Sequence, residues 1–343
     1  MNRSFYLDLA ADGHRAPIGT HLVLHTKGVS EAIVLDGKKL GGIVVETAER
    51  FRTPLAIPLM DLTLEKAAYL GALGIPATEV DSFHFEEPPS GPVTLQMTPR
   101  MLATCEAISH VASSASLVPI GMGIGPFSFM TKLVKDPITP VFLASSGMTG
   151  EDEPEVAIVE RCLEAGTELI LSYLAAQADA GAKAIIVCEP AANQVYFSPN
   201  QLAESFEIFD RYVMEPMKRI KALLDARGVD LIFHDCGELT NEMVSRFATL
   251  DPAMMSLGCS RNLWEDAALV QKSTVLYGNL PTKKFYSPQL TVADVEELSR
   301  DLLEKMRASG HPFILGSECD VLSVPGSEQE ILAKVDAFMN VSG

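Results

Sequence analysis

From Ser116 onward the chain repeats one pattern: a short apolar run, then an amphipathic stretch at helical spacing, then another apolar run. Strands alternating with helices imply parallel βαβ units, because parallel neighbours need a crossover between them. Parallel strands buried on both faces read as unbroken β-rich runs, as AIIV and LIF do here. The pattern predicts strands over residues 117–122, 184–188, 229–234, 253–257, 274–277 and 312–315. The first third is less regular. A strand over 54–60 ends at Asp61, a helix runs from 62 to about 73 with Gly74 beyond it, and 18–25 reads as one more strand. That makes about eight strands, enough to close a barrel. The expected architecture is a single (β/α)₈ TIM-type barrel over residues 1–343 with an irregular N-terminal segment.

Helix signals support this division. Residues 155–179 carry apolar positions at helical spacing, and Ser198-Pro199 opens a helix expected to run to about 226, before Gly228. Thr291 starts another that stops at Gly310, and Ser327-Glu328-Gln329-Glu330 has the form of a capping box. The one soft boundary is the acidic, proline-rich loop from Glu86 to Pro92. The glycine-rich Gly121-Met122-Gly123-Ile124-Gly125 lacks the spacing of a dinucleotide-binding turn.

Composition narrows the partners. With 27 Lys+Arg against 45 Asp+Glu the formal charge is −18. So acidic a surface repels phosphate backbones and anionic lipid, so neither nucleic acid nor membrane is expected. No signal segment opens the chain, and no apolar run approaches the ~20 residues of a membrane helix. A cytoplasmic protein is expected. Its six cysteines then read as free thiols or metal ligands.

In a (β/α)₈ barrel the residues that follow each strand share one face, where active sites are built. Here those residues include Asp61, Glu189, His234-Asp235-Cys236, Cys259, Asn279 and Ser317-Glu318-Cys319. His234-x-Cys236 is the sharpest feature, since residues two apart on an extended segment point the same way. Cys319 holds the matching place after another strand. Two thiolates and an imidazole select zinc and leave a fourth tetrahedral position for water or substrate. Such a centre is formally neutral, so it suits alkyl transfer at an electron-rich sulfur better than hydrolysis. The bland alternative is that His234 hydrogen-bonds in the barrel mouth while both cysteines fill space. Glu189 and Asp61 are either acid/base groups or acids stabilising the rim at helix N-termini. Asn279 either contacts substrate or holds its own loop. Cys188, Cys259, Met122, Met254 and Met255 read as packing, and His21, like the histidines other than His234, has no ligand spacing.

Several stretches carry a family likeness: PLMDLTLEKAAYLGALG (Pro58 to Gly74), IGMGIGPFSFMTKLV (from Ile120), EPAANQVYFSP (from Glu189), FHDCG (from Phe233), YGNLP (from Tyr277) and GSECDVLSVPG (from Gly316). The chain resembles the uroporphyrinogen decarboxylase superfamily over nearly its whole length, and within it the zinc-containing corrinoid methyltransferases. The resemblance implies zinc on His234, Cys236 and Cys319; in the same barrel mouth Glu189 and Asp61 are the catalytic candidates, and Asn279, Tyr196 and Ser317 the expected substrate contacts. It implies methyl transfer between a small thiol or methyl ether and a corrinoid (cobalamin). No corrinoid-binding Asp-x-His-x-x-Gly stretch is present, so the corrinoid is expected on a separate partner protein. In the decarboxylase branch an aspartate matched by Asp61 carries catalysis without metal, behind an Arg-rich N-terminal segment, whereas HRAPIGTH offers only Arg15. Glu189-Pro190 and Gly237-Glu238 depart from the usual methyltransferase pattern. The competing expectations are a metal-free lyase using Asp61 and a noncatalytic barrel subunit.

Overall fold

The computed structural model describes residues 3–28, 31–91 and 93–342. Eight parallel strands form one sheet: β1 (Arg15–Ile18), β2 (Leu55–Ala56), β3 (Val118–Ile124), β4 (Ala184–Cys188), β5 (Asp230–Asp235), β6 (Met254–Leu257), β7 (Val275–Leu280) and β8 (Phe313–Asp320). Their order is β1-β8-β7-β6-β5-β4-β3-β2, so the sheet curls into a nearly closed (β/α)₈ barrel with a seam between β1 and β2. β2 is short because Pro54 and Pro58 flank it and supply no backbone donor. The seam is spanned instead by a side chain, Thr20 Oγ1 donating to the carbonyl of Ile57 at 2.6 Å.

Side chains alternate between two cores. On β4, Ala184, Ile186 and Cys188 fill the barrel, while Ile185 and Val187 face the surrounding helices. Met122 and Met254 lie inside the barrel and Met255 outside it, so these residues pack, as expected. Among the described residues no helix is long and apolar enough to cross a membrane.

The helices of the second half follow their sequence signals. The helix Pro154–Asp179 has proline in its first turn. The helix Val292–Ser309 is opened by a capping box between Thr291 and Asp294 and closed by left-handed Gly310. Five expectations need correction. Residues 18–25 are not a strand: β1 ends at Ile18, and Thr20–Thr26 is a helix whose Leu22, Val23 and Leu24 all pack into the outer core. The strand expected over 54–60 shrinks to Leu55–Ala56. The long helix after Pro199 is broken into Pro199–Glu204, Glu207–Phe209, a π segment Asp210–Met214 and Glu215–Ala226. Ser198 makes no side-chain cap there. Nor does Ser327, where Glu328 accepts from Gly326 N at 2.8 Å instead. The proline-rich loop, whose Pro92 lies outside the described residues, is tied to the barrel: Arg161 donates to the carbonyls of Pro89 and Gly91.

Candidate metal centre

β5 aims Ile232, His234 and, just past its end, Cys236 to one side, with Phe233 and Asp235 on the other. In the neighbouring strand Ser256 lies in register with His234, and its hydroxyl meets His234 Nδ1 at 2.9 Å. That contact orients the ring and leaves Nε2 as the free ligand atom. Nε2 is buried and has no hydrogen-bond partner among the described residues. Cys319 arrives from β8. Ligand atoms of His234, Cys236 and Cys319 all lie within 4.8 Å of one another. Gly258 permits this closeness, since a Cβ there would stand 2.7 Å from the Cys236 carbonyl oxygen.

The two sulfurs lie close enough to shift each other's titration in opposite directions. The Cys319 thiol, hydrogen-bonded to Cys236, pulls the Cys236 thiol well below its ordinary range, helped by His234 and Lys283. The same bond, with burial, pushes Cys319 up. An orphaned buried imidazole nitrogen beside a thiol–thiolate pair is the donor set of a soft divalent cation, and the residues fit zinc.

The sequence profile described as Uroporphyrinogen decarboxylase (URO-D) matches residues 36–340. The chain belongs to the uroporphyrinogen decarboxylase family. No curated protein sequence gives a significant match. Among solved structures, a methyltransferase from Methanosarcina mazei is similar in fold, with a TM-score of 0.71 at 16% identity over 98% of each chain.

Within this uroporphyrinogen decarboxylase fold the other expected site residues are placed less centrally. Glu189 is fully buried and turned outward, where its carboxylate accepts from Phe127 N, Ser128 N and Ser128 Oγ at 2.7–2.9 Å. Burial pushes it up to about 7 against the pull of those bonds. Of its two readings, this geometry favours the acid that stabilises the rim at a helix N-terminus. Asp61 accepts from Thr63 and, at 2.8 Å, from Arg100. Against its burial, these partners hold its carboxyl below the usual range. Its neighbour Met60 touches the centre, with Sδ 3.8 Å from Cys319 Sγ.

Asn279 spends its amide on the carbonyls of Gly258 and Arg261 at 2.8 and 2.9 Å, which is the loop-holding arrangement. Ser317 Oγ accepts from Ile18 N at 2.9 Å and so joins β8 to β1. Tyr196 is half-buried and stacks edge-on to Phe127, with centroids 5.8 Å apart. Arg15 donates to the carbonyls of Phe338 and Met339 at the end of the last helix, a structural cap. Cys188 is buried in the barrel and Cys259 is exposed beyond β6.

Three groups at the rim escaped the sequence reading. Lys283 is half-buried on the turn after β7 and, against that burial, the charge of the two sulfurs raises its pKa. His21 pairs with Asp320 at 3.1 Å, and that bond chiefly raises its pKa. Glu65 is buried and accepts from Ile124 N at 3.1 Å. A signal for Glu65 and Glu189 was present in the glycine run. Gly121, Gly123 and Gly125 face one side of β3, and a Cβ at each would crowd Gln177, Glu65 and Glu189 in turn.

Proposed function

We propose that this protein is a zinc-dependent methyltransferase, exchanging a methyl group between a small substrate and the cobalt of a corrinoid carried by a separate protein. The observation that carries the reading is the convergence of three ligand atoms from β5 and β8 within 4.8 Å, one of them a buried nitrogen with no hydrogen-bond partner among the described residues. The uroporphyrinogen decarboxylase fold and its likeness to a methyltransferase from Methanosarcina mazei support it.

His234, Cys236 and Cys319 would hold the ion. Bound there, zinc supplies a Lewis-acidic open position for the substrate's heteroatom, a thiol or the oxygen of a methyl ether. The chain's own residues do the rest. Ser256 fixes the imidazole, the ends of β5 and β8 bring both sulfurs to one spot, and Met60 packs beside Cys319. A cytoplasmic, reducing setting suits free thiols, and all six cysteines are unpaired. Residues 1–343 would act as one domain, with the corrinoid protein docking over the barrel mouth. With its carboxylate tied to Arg100 and Thr63, Asp61 is poorly placed for a metal-free lyase.

The test is metal analysis of the wild type beside His234→Ala, Cys236→Ser and Cys319→Ser. One zinc per chain in the wild type and its loss from each variant is expected, together with loss of methyl transfer to or from free cobalamin. Full zinc retention by all three variants removes the site.

A further inference from the structure

At the other end of the barrel, where β1 and β8 begin, two clefts adjoin. The first, of about 410 Å³, lies between the helix Ser4–Ala11 and the helix Val292–Ser309, against the start of β8. Leu7, Ala10, Leu303, Met306, Phe313 and Leu315 give it mostly apolar walls, and among the described residues no acid lines it. Its volume is in the range of small-ligand sites. The second cleft, of about 440 Å³, is polar and carries His14, Arg15 and Arg52. Gly13 and His14 line both clefts. The partition between them is low, because Gly13 has no side chain and a Cβ there would meet nothing within 4 Å.

In a chain of formal charge −18, two arginines without an acid are out of pattern. Arg100, Arg211, Arg246 and Arg261 each meet an Asp or Glu. Arg15 and Arg52 are instead both anchored on the last turn of the helix Glu328–Asn340. Arg15 donates to the carbonyls of Phe338 and Met339 at 3.1 and 2.8 Å, and Arg52 donates to the Asn340 side chain. These acceptors are neutral, so two positive charges stand in one cleft uncompensated. Asp12, the one acid on its lining, is exposed and among the described residues pairs with neither arginine. An anion there would relieve the repulsion, and a guanidinium is shaped to take a carboxylate. We propose that the adjoining clefts bind a medium-chain aliphatic carboxylate, its chain in the apolar groove and its head on Arg52 and Arg15. The site lies at the strand N-terminal ends, away from the mouth, and does not rest on the metal reading.

Calorimetric titration of the full-length protein with sodium decanoate, decanol and sodium acetate tests this. Decanoate, kept below the concentration at which it aggregates, should bind once per chain. Decanol keeps the chain and loses the charge, and should bind roughly fivefold more weakly, the scale of an ion pair at a partly exposed site. Acetate keeps the charge and loses the chain, and should bind roughly a hundredfold more weakly, since each buried methylene contributes about fourfold. Arg52→Gln should weaken decanoate roughly fivefold and leave decanol unchanged, with Arg52→Lys close to wild type. Leu303→Gln, on the groove wall, should weaken decanoate and decanol alike. Decanol as tight as decanoate, or decanoate unaffected by Arg52→Gln, would overturn the carboxylate's place. Acetate as tight as decanoate would leave only an ion and overturn the groove, and no binding of decanoate would remove the site. The three ligands are compared on the wild type, so a variant that fails to fold leaves the test standing.

Discussion

Two arcs of the barrel rim carry similar numbers of polar side chains and treat them differently. At the ends of β2 and β4, the carboxylates of Asp61 and Glu189 are taken up by Thr63 and Arg100, and by Phe127 and Ser128. From β5 to β8 the donors are left over: His234 Nε2 has no hydrogen-bond partner among the described residues, and the two thiols lie beside it and each other within 4.8 Å. A polar residue at a strand end is thus a weak pointer to chemistry by itself. What separates Asp61 and Glu189 from His234 and the thiols is whether neighbouring groups already satisfy the side chain, because an unsatisfied buried donor or acceptor costs about 1–3 kcal/mol.

If the β2–β4 arc is structural, altering it should change stability and leave metal content alone. The largest effect is expected at Gly125, where any Cβ would overlap the Glu189 side chain. Gly125→Ala should destabilise the fold by about 3 kcal/mol, the upper range for overpacking. Thermal unfolding of the zinc-loaded chain would measure it. A variant as stable as wild type but inactive would move Glu189 back among the catalytic candidates.

Glu65 gives the same arc a pH signature. Burial raises its carboxyl from 4.5 to about 7, against hydrogen bonds that lower it. In that window the folded chain holds a proton that the unfolded chain has lost, so this group makes stability fall as pH rises from about 4.5 to about 7. The full effect is about 3 kcal/mol at most, and Glu65→Gln should flatten the profile by that amount in denaturant titrations at successive pH values. A profile with the same slope in both proteins would mean that Glu65 keeps its charge in the fold. Substituting Glu189, whose carboxyl burial likewise raises to about 7, should cost less stability than Gly125→Ala. Glu189→Gln leaves an amide facing the Ser128 N–H, and about 2 kcal/mol of stability should be lost with zinc stoichiometry unchanged.

The regular part of the fold could be read from residues because its physics is local. AIIVC and DLIF are buried on both faces and follow one another at crossover spacing, so β4 and β5 read directly. His234 and Cys236 read for the same reason, as alternate positions on an extended segment. The first third resisted because its elements are decided by tertiary packing. The run from Ile18 to His25 is apolar enough for a strand, yet the strand ends at Ile18 and the rest folds within the helix Thr20–Thr26, which buries Leu22, Val23 and Leu24 together. Lys283 was illegible for another reason. The turn after Pro281 is held against β8 by the bond from Thr282 to the Cys319 carbonyl, and nothing in the sequence spacing reports that turn.

The smallest expected effect probes the other arc. Ser256 does not touch the proposed ion. It meets the imidazole from behind at 2.9 Å, across one rung of the β5–β6 ladder. Its hydroxyl rotates to suit either tautomer, so its contribution is to fix which way the ring faces and to hold Nδ1 while Nε2 binds. Ser256→Ala should keep the fold and one zinc per chain while weakening zinc about tenfold in competition with a chelator, at the lower end of such effects. Ser256→Thr, which restores a hydroxyl, should recover part of the affinity. If Ser256→Ala instead binds zinc as tightly as wild type, the ring is held by packing in the barrel alone. The contrast between the arcs would then lie in the ligand atoms themselves and owe nothing to the residues behind them.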